Sequence, residues 1–257
     1  MSFFNKMLAS VGIGSAQIDT KLEKDRLKPG EMISGSIEVR GGNVEQNIDS
    51  LYLNVYTNFI RETDDRKVTD VANIGHFFIS ESFTIKPGAL KEIPFSFQLP
   101  YDTPVTYGKT KIWVATGADI KSSVDPTDKD YIKVDPGNLA AAVINSIYDI
   151  GFRLRNVDCE AAPRFLRTSL PIIQEFEFVP YSGPFRGKLD ELEMTFFNQS
   201  EHQVDILMEV DRKARGLTSL FSEVLEMDES KVRLTVTSNE IANMKNKFQD
   251  VISRYTH

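Results

Sequence analysis

The chain has 257 residues, a formal net charge of −7 and 41% hydrophobic residues, a composition typical of a globular protein. This length allows two core-bearing domains of about 130 residues each. The acidic balance argues against a nucleic-acid backbone as the main partner, because such proteins usually present a basic face. Cys159 is the only cysteine, so no internal disulfide can form and we expect a cytoplasmic protein.

The first segment, MSFFNKMLASVGIGSA, is predicted to form an amphipathic helix. Its apolar side chains recur at helical spacing: Phe3, Phe4, Met7, Leu8 and Val11. We interpret it first as a helix that docks on the body of the protein. The alternative is a membrane-surface anchor or a partner-binding helix.

Strand patterns follow from Ala16 to about Asp135, with turn residues between them. The runs AQIDTKLEK and MISGSIEVR flank a Pro29-Gly30 pair, which suits a tight turn. SLYLNVYTNFI alternates apolar and polar residues, as a half-buried strand does. No helical pattern interrupts this rhythm, so we predict an antiparallel β-sandwich.

Residues 93–120, IPFSFQLPYDTPVTYGKTKIWVATGADI, are predicted to be two strands joined by a rigid loop. Pro100 and Pro104 cannot donate ladder hydrogen bonds, so they end the first strand and stiffen the connection. Alternation predicts that Ser96 and Trp113 face outward. The core-facing side chains are predicted to be Phe95, Phe97, Ile112 and Val114.

The pattern changes at DPGNLAAAVINSIYDIGF, which predicts a helix with Asn138 as N-cap and Gly151 at its C-terminal end. Strand patterns resume beyond it in FRLRNVDCE, PIIQEFEFVP, GKLDELEMTFF and HQVDILMEVDR. The carboxylates in QEFEF and LDELEM alternate with apolar residues, which predicts a solvated strand face. The chain is thus divided into a first β-rich domain (1–136, including the N-terminal helix), a linking helix (137–151) and a second β-rich domain with C-terminal helices (152–257).

Two helices are predicted in the C-terminal part, LTSLFSEVLEM and SNEIANMKNKFQDVISRYTH, the latter opened by a Thr237–Glu240 capping box. The last helix has a narrow apolar seam with heptad spacing. The seam consists of Ile241, Met244, Phe248, Val251 and Tyr255. It is a candidate interaction surface that either docks on the chain's own body or pairs two copies in a homodimer.

Catalytic patterns are sparse. His76, His202 and His257 lie in no hydrolase or metal-binding motif, so we interpret them as structural or solvated imidazoles. Cys159 lies between Asp158 and Glu160, whose charges disfavour a thiolate. The sequence therefore predicts no catalytic residue and no cofactor.

The segment VDPTDKDYIKV holds the best candidate for a metal site. Asp125, Asp128 and Asp130 could supply oxygens to a hard cation. An aspartate-rich turn that leads into a strand is the simpler interpretation. A metal-dependent enzyme built on these aspartates is kept as an alternative.

The segment DRKARG, at a predicted strand end, mixes charges densely. A network of ion pairs that bridges the domains is one interpretation. A solvated loop or a small anion-binding patch are the other interpretations.

Several segments together resemble a known family. IPFSFQLPYDTPVTYGKTKIWVATGADI and LKPGEMISGSIEVRGG are similar to the arrestin-fold pattern. With YDIGFRLRNVDCE, QEFEF, RGKLDELEM and MEVDRKARGL, the chain resembles the bacterial sporulation-control family of the arrestin clan, stage-zero sporulation protein M. The resemblance implies an arrestin-like sandwich, a second β-rich half and a cytosolic regulatory role without enzymatic activity. Arrestins hold their two domains together with buried ion pairs, and by position Asp211 and Arg212 are the candidates for a similar role here.

The functional expectation is a non-enzymatic regulator or scaffold that controls sporulation through protein–protein interactions. Strand edges and exposed apolar helices could supply the contacts. The alternative is a membrane-surface adaptor anchored by the N-terminal helix. The sequence names no partner.

Overall fold

The structure is a computed structural model that describes residues 15–63, 66–120, 128–166, 170–211 and 231–255. Within these ranges the chain is mainly β, as the sequence predicts. The N-terminal segment, the predicted helix LTSLFSEVLEM and Arg212 lie outside the described residues. No described helix has both the length and the apolar character needed to cross a bilayer.

Among the described residues, nine strands lie before the helix at 138–149. They are β1 (Gln17–Leu22), β2 (Arg26–Leu27), β3 (Met32–Arg40), β4 (Gln46–Thr63), β5 (Arg66–Ser80), β6 (Phe83–Ile85), β7 (Leu90–Gln98), β8 (Ile112–Ile120) and β9 (Asp128–Val134).

Helix α1 (Asn138–Asp149) leads into the second half of the chain. There follow β10 (Phe152–Ala161), β11 (Ile172–Pro180), β12 (Glu191–Phe197), β13 (Gln203–Asp211), β14 (Lys231–Thr237) and helix α2 (Met244–Ser253).

The described strands form a small sheet and a large one. The small sheet has the order β1-β3-β7, and the large one has the order β14-β13-β12-β11-β10-β4-β8-β9-β2, with β5 and β6 also paired to β4. The two halves meet where β10 runs parallel to β4, in a single registered pair of Glu160 with Ile60. A short parallel contact therefore joins sheet regions that are otherwise mostly antiparallel.

Two large apolar cores lie on either side of this contact. One is built mainly by the strands before α1, and the other by α1, α2 and the strands after it. Each core also contains apolar residues from the other half of the chain. Leu170 and Ile172 pack in the first core, and Val105 packs in the second. The domain boundaries at 136 and 152 stay a prediction.

The core positions predicted for residues 93–120 are confirmed. Phe95, Phe97, Ile112 and Val114 are all buried, and Ser96 is exposed.

Trp113 faces outward as predicted, but it is not exposed to solvent. Its register places it on the outer face of β8, but only 6% of its surface is exposed. The rings of Tyr56 and Tyr131, on the neighbouring strands, have centroids 5.9 Å and 6.0 Å from that of Trp113. Lys129 Nζ lies 4.1 Å from the ring centroid. The aromatic rings and the lysine on the neighbouring strands thus cover the outward-facing ring of Trp113.

Helix α1 is confirmed, but its N-cap lies one residue earlier than predicted. Gly137 is the N-cap, and the Asn138 side chain instead accepts a hydrogen bond from Lys28 Nζ at 3.0 Å. Gly151 follows the helix with a φ of +102°. Only glycine adopts this conformation at low cost, so its predicted role at the helix end is confirmed.

The capping box of Thr237 and Glu240 is confirmed, although it opens a 3-10 segment that continues into α2. The apolar seam of α2 packs into the second core beside α1: Met244, Phe248 and Val251 are buried there, and Tyr255 packs against them. Ile241 is 45% exposed. The central side chains of the seam are covered by the same chain, and pairing with a second copy stays a prediction.

Candidate functional site at the junction of the two cores

The loop of residues 99–111, which joins β7 to β8, lies between the two cores. Pro100 and Pro104 lack an N–H group, and the loop is folded by other bonds. The Oγ1 and N–H groups of Thr103 both donate to the carbonyl oxygen of Pro100, at 2.6 Å and 3.1 Å. The hydroxyl and N–H groups of Thr106 donate hydrogen bonds to the carbonyl of Val134, and the Val134 N–H group donates to the Thr106 hydroxyl. These bonds fix the loop to the end of β9.

Gln174 of β11 holds this loop from the second half of the chain. Its Oε1 accepts from the N–H group of Val105 at 2.8 Å, and its Nε2 donates to the Val105 carbonyl at 2.7 Å. Nε2 also lies 3.2 Å from Oγ1 of Thr110. Because Gln174 and Val105 are both buried, the amide satisfies backbone groups that water does not reach.

Asn58 of β4 holds the far end of the same loop. Its Nδ2 donates to the carbonyl of Lys109 at 3.2 Å, and its Oδ1 accepts from the N–H group of Lys111 at 2.7 Å. Thr57 Oγ1 donates to the Lys111 carbonyl at 3.1 Å. The backbones that carry these two lysines are therefore fixed, while their side chains are exposed.

The turn before these lysines closely approaches β10. Gly108 has a φ of +58°, and a Cβ atom there would lie 2.9 Å from the carbonyl oxygen of Val157. Position 108 therefore favours glycine for two reasons, the backbone conformation and the space.

Three exposed lysines surround the junction: Lys109, Lys111 and Lys133. Antiparallel pairing of Ile112 with Ile132 places the residues next to them, Lys111 and Lys133, on the same outer face. None of the three forms an ion pair with another described residue. Their charges are therefore available to an anionic ligand.

These lysines line two adjoining concavities that share Thr110, together named the junction groove. The larger, of about 570 Å³, is lined by Asp25, Thr106, Thr110, Lys111, Ile112, Tyr131, Ile132 and Lys133. The smaller, of about 260 Å³, is lined by Asn58, Ile60, Lys67, Val68, Thr69, Lys109, Thr110, Asp158 and Cys159. Tyr131 is 58% exposed and offers an aromatic surface beside the lysines.

The one thiol at the groove is chemically inert. Burial raises the pKa of Cys159 to about 12, and the nearby Asp158 and Glu160 charges raise the pKa further. The direction agrees with the sequence prediction, although burial is the larger cause. A neutral buried thiol is a poor nucleophile, so the groove is suited to binding rather than covalent chemistry.

The predicted structural histidines form no catalytic pair within the described residues. His76 stacks on Tyr52 at 4.7 Å, and its Nδ1 lies 2.7 Å from Asn54 Oδ1. His202 is exposed beside Glu201. His257 lies outside the described residues.

The aspartate candidates are described only in part. Asp125 and the side chain of Asp128 lie outside the described residues, whereas Asp130 belongs to β9. In the described ranges no three His, Cys, Asp or Glu residues are grouped to hold a metal ion. Asp211 ends β13, and its carbonyl accepts from the N–H group of Asp190 at 3.0 Å. The role of Asp211 and Arg212 in ion pairs between domains stays a prediction, and Arg212 lies outside the described residues.

The carboxylates of QEFEF and LDELEM are not solvated as predicted. Glu175, Glu191 and Glu193 are 3–7% exposed. Arg155 contacts the carboxylates of both Glu177 and Glu191, which explains part of this burial.

Burial dominates the electrostatics of three other carboxyls in this region, Glu175, Glu193 and Glu160. Burial raises the pKa of Glu175 to about 9, and the Glu193 charge contributes in the same direction. Burial also raises the pKa of Glu193 and of Glu160 to about 7. Oε2 of Glu175 is buried without a hydrogen-bond partner in the described structure.

Sequence reasoning missed the junction groove. The lysines are scattered over two segments, and each resembles an ordinary solvated lysine in the sequence. The signal that could have indicated them is the contrast between an acidic chain and the run GKTK beside the proline-containing loop. The sequence did not indicate the role of Gln174, because its partner Val105 lies 69 residues away in the chain.

Comparisons with known proteins place the chain among bacterial sporulation proteins. The family model described as SpoOM protein matches residues 4–214. The sporulation-control protein spo0M of Bacillus subtilis (strain 168) is 41% identical over 258 residues, which is 99% of each chain. The crystal structure of Spo0M, sporulation control protein, from Bacillus subtilis matches with a TM-score of 0.86 and 38% identity, over 95% of this chain and 100% of that one.

Proposed function

Because the chain belongs to the SpoOM protein family, we propose that it regulates sporulation by binding other proteins rather than by catalysing a reaction. Its relative in Bacillus subtilis is a sporulation-control protein, which supports the cellular role. A cytoplasmic location is part of the same proposal.

The observation that carries the binding mechanism is the junction groove. Its three lysines are exposed and unpaired among the described residues, yet two of them stand on a backbone fixed by Asn58. Binding residues are often carried by loops that a rigid scaffold positions. The inert state of Cys159 agrees with a role in recognition.

The cellular part of the proposal is tested by deleting the gene in the bacterium that encodes it and counting heat-resistant spores. We expect the count to change, and to return when the full chain is expressed again. Unchanged spore formation in the deletion strain would overturn the role in sporulation.

The mechanistic part is tested by crosslinking the full chain in cells at the onset of sporulation. We expect crosslinked peptides of specific proteins to map to the junction groove. Crosslinks that spread evenly over the surface, without specific partners, would contradict a binding role.

A further inference from the structure

We propose that the junction groove binds an acidic, extended peptide segment of a protein partner. The inference rests on the proposed function, since it names the chemistry of the segment that a partner would insert. It is carried by the charge, shape and rigidity of the groove.

The charge of the groove is opposite to that of the chain as a whole. Lys109, Lys111 and Lys133 lack ion pairs with described residues, whereas the whole chain has a net charge of −7. Only two carboxylates, Asp25 and Asp158, belong to the residues that line the two concavities. Local complementarity of this kind steers an acidic ligand to one place on the surface.

The other cations nearby already have partners. Lys67 lies 3.3 Å from a carboxylate oxygen of Glu62. Arg26, which pairs in register with Lys133, has its Nε 2.5 Å from Oδ2 of Asp135. The three lysines form no such close pair with a described residue, although the charge of Lys133 contributes to the lowered pKa of Asp135.

The shape of the groove suits a chain segment better than a compact ion. The concavities of about 570 Å³ and 260 Å³ adjoin at Thr110 and have different lysines at each end. A peptide in an extended conformation rises about 3.3 Å per residue, so a few residues suffice to reach both. Tyr131 can pack against an apolar side chain of the same segment.

The rigidity of the groove lowers the cost of binding. Asn58 fixes the backbones of Lys109 and Lys111, and Gln174 fixes the loop that precedes them. Only the lysine side chains and the peptide must be ordered on binding, which preserves more of the interaction free energy.

An anionic membrane surface is a weaker fit for this groove. A protein with a net charge of −7 is repelled by a negatively charged leaflet. A membrane ligand is therefore treated as an outcome of the test.

The test compares two triple variants of the full chain that lose the same charge. The groove variant carries Lys109→Gln, Lys111→Gln and Lys133→Gln. The control variant carries Lys86→Gln, Lys188→Gln and Lys245→Gln, all exposed lysines outside the groove. Thermal unfolding confirms that both fold, which we expect because every substituted side chain is exposed.

A phage-displayed library of short random peptides is selected on the wild-type chain, and the affinity of an enriched peptide is measured by fluorescence anisotropy. We expect acidic peptides, whose dissociation constant rises by about tenfold or more in the groove variant. The control variant should stay within about twofold of wild type. Tyr131→Ala should weaken peptides that contain an apolar residue.

Selection of neutral or basic peptides, failure to enrich any peptide, or equal losses in both variants would overturn the inference. So would binding to phosphatidylserine vesicles that is lost in the groove variant while acidic peptides do not bind. These outcomes leave the role in sporulation standing, since spore counts after gene deletion test it separately.

Discussion

The side-chain amide of Gln174 forms hydrogen bonds with both backbone groups of Val105, accepting from the N–H group at 2.8 Å and donating to the carbonyl at 2.7 Å. The two residues belong to different halves of the chain. Gln174 thus replaces the backbone partner that a neighbouring strand would supply.

Substitution Gln174→Leu should destabilise the fold strongly. It removes the partners of two buried backbone groups, and each unsatisfied group costs about 1–3 kcal/mol. The midpoint of urea unfolding measures the loss. Gln17→Leu, at an exposed position of β1, is the matched control and should change the midpoint little. Equal effects of the two substitutions would contradict the role of Gln174.

Substitution Asn58→Asp should loosen the loop that carries the groove lysines. The carboxylate keeps an acceptor for the Lys111 N–H group but has no donor for the Lys109 carbonyl. We expect faster amide hydrogen exchange in residues 109–111.

Asn54→Asp is the control for this experiment, because it adds the same charge on the same strand. Asn54 Oδ1 contacts Nδ1 of His76 and accepts from Nδ2 of Asn73, so a carboxylate oxygen can replace it. Exchange in residues 109–111 should not change in this variant. A change there would show that the added charge, and not the lost donor, loosens the loop.

Substitution Glu175→Gln should stabilise the protein at alkaline pH. The pKa of Glu175 is raised from its ordinary 4.5 to about 9, so the folded chain retains a proton that the unfolded chain releases. Stability therefore falls as the pH rises from about 4.5 to 9, by at most about 1.4 kcal/mol per pH unit for this one group. Glutamine resembles the protonated acid and removes this dependence.

Urea unfolding at pH 5.5, about 7 and 8.5 tests the pH effect. The gain of Glu175→Gln over wild type should grow with pH, while Glu45→Gln, at an exposed position, should give no growing gain. Glu160 and Glu193, whose pKa values are raised to about 7, leave a residual dependence in the variant. A constant difference at all three pH values would contradict the prediction.

Substitution Phe248→Ala should lower stability by about 3–5 kcal/mol, because it removes a fully buried ring from the core beside α1. Ile241→Ala, at the exposed end of the same seam, should lower the stability only slightly. The loss for Phe248→Ala should not depend on protein concentration. A loss that grows as the concentration rises would indicate that the seam contacts a second copy, because association stabilises the wild type more at high concentration.

The sequence predicted the strands and α1 well because their cores follow simple alternation. Ile112 and Val114 are buried as their period of two requires. The burial of Trp113 was not predicted, because alternation tells which face a side chain is on, whereas its burial depends on Tyr56 and Tyr131 of neighbouring strands. Alternation likewise placed Glu175 and Glu193 on a face predicted to be solvated, but neighbouring strands bury both side chains.

The candidate site was less predictable because its residues are brought together only by the fold. The heptad seam of α2 encodes an apolar stripe, but not the surface that covers it. Lys111 and Lys133 become neighbours only when β8 pairs with β9. Gln174 is one polar residue in an apolar strand until the loop at Val105 lies against it.

The bonds between Gln174 and Val105 also set an order of events during biosynthesis. The loop emerges 69 residues before the amide that completes it. At about 5–20 residues per second, the ribosome needs about 4–14 s to add those residues. During that interval the backbone N–H and C=O groups of Val105 lack the Gln174 side chain as hydrogen-bond partner. The first half therefore reaches its final stability only after the second half has been translated.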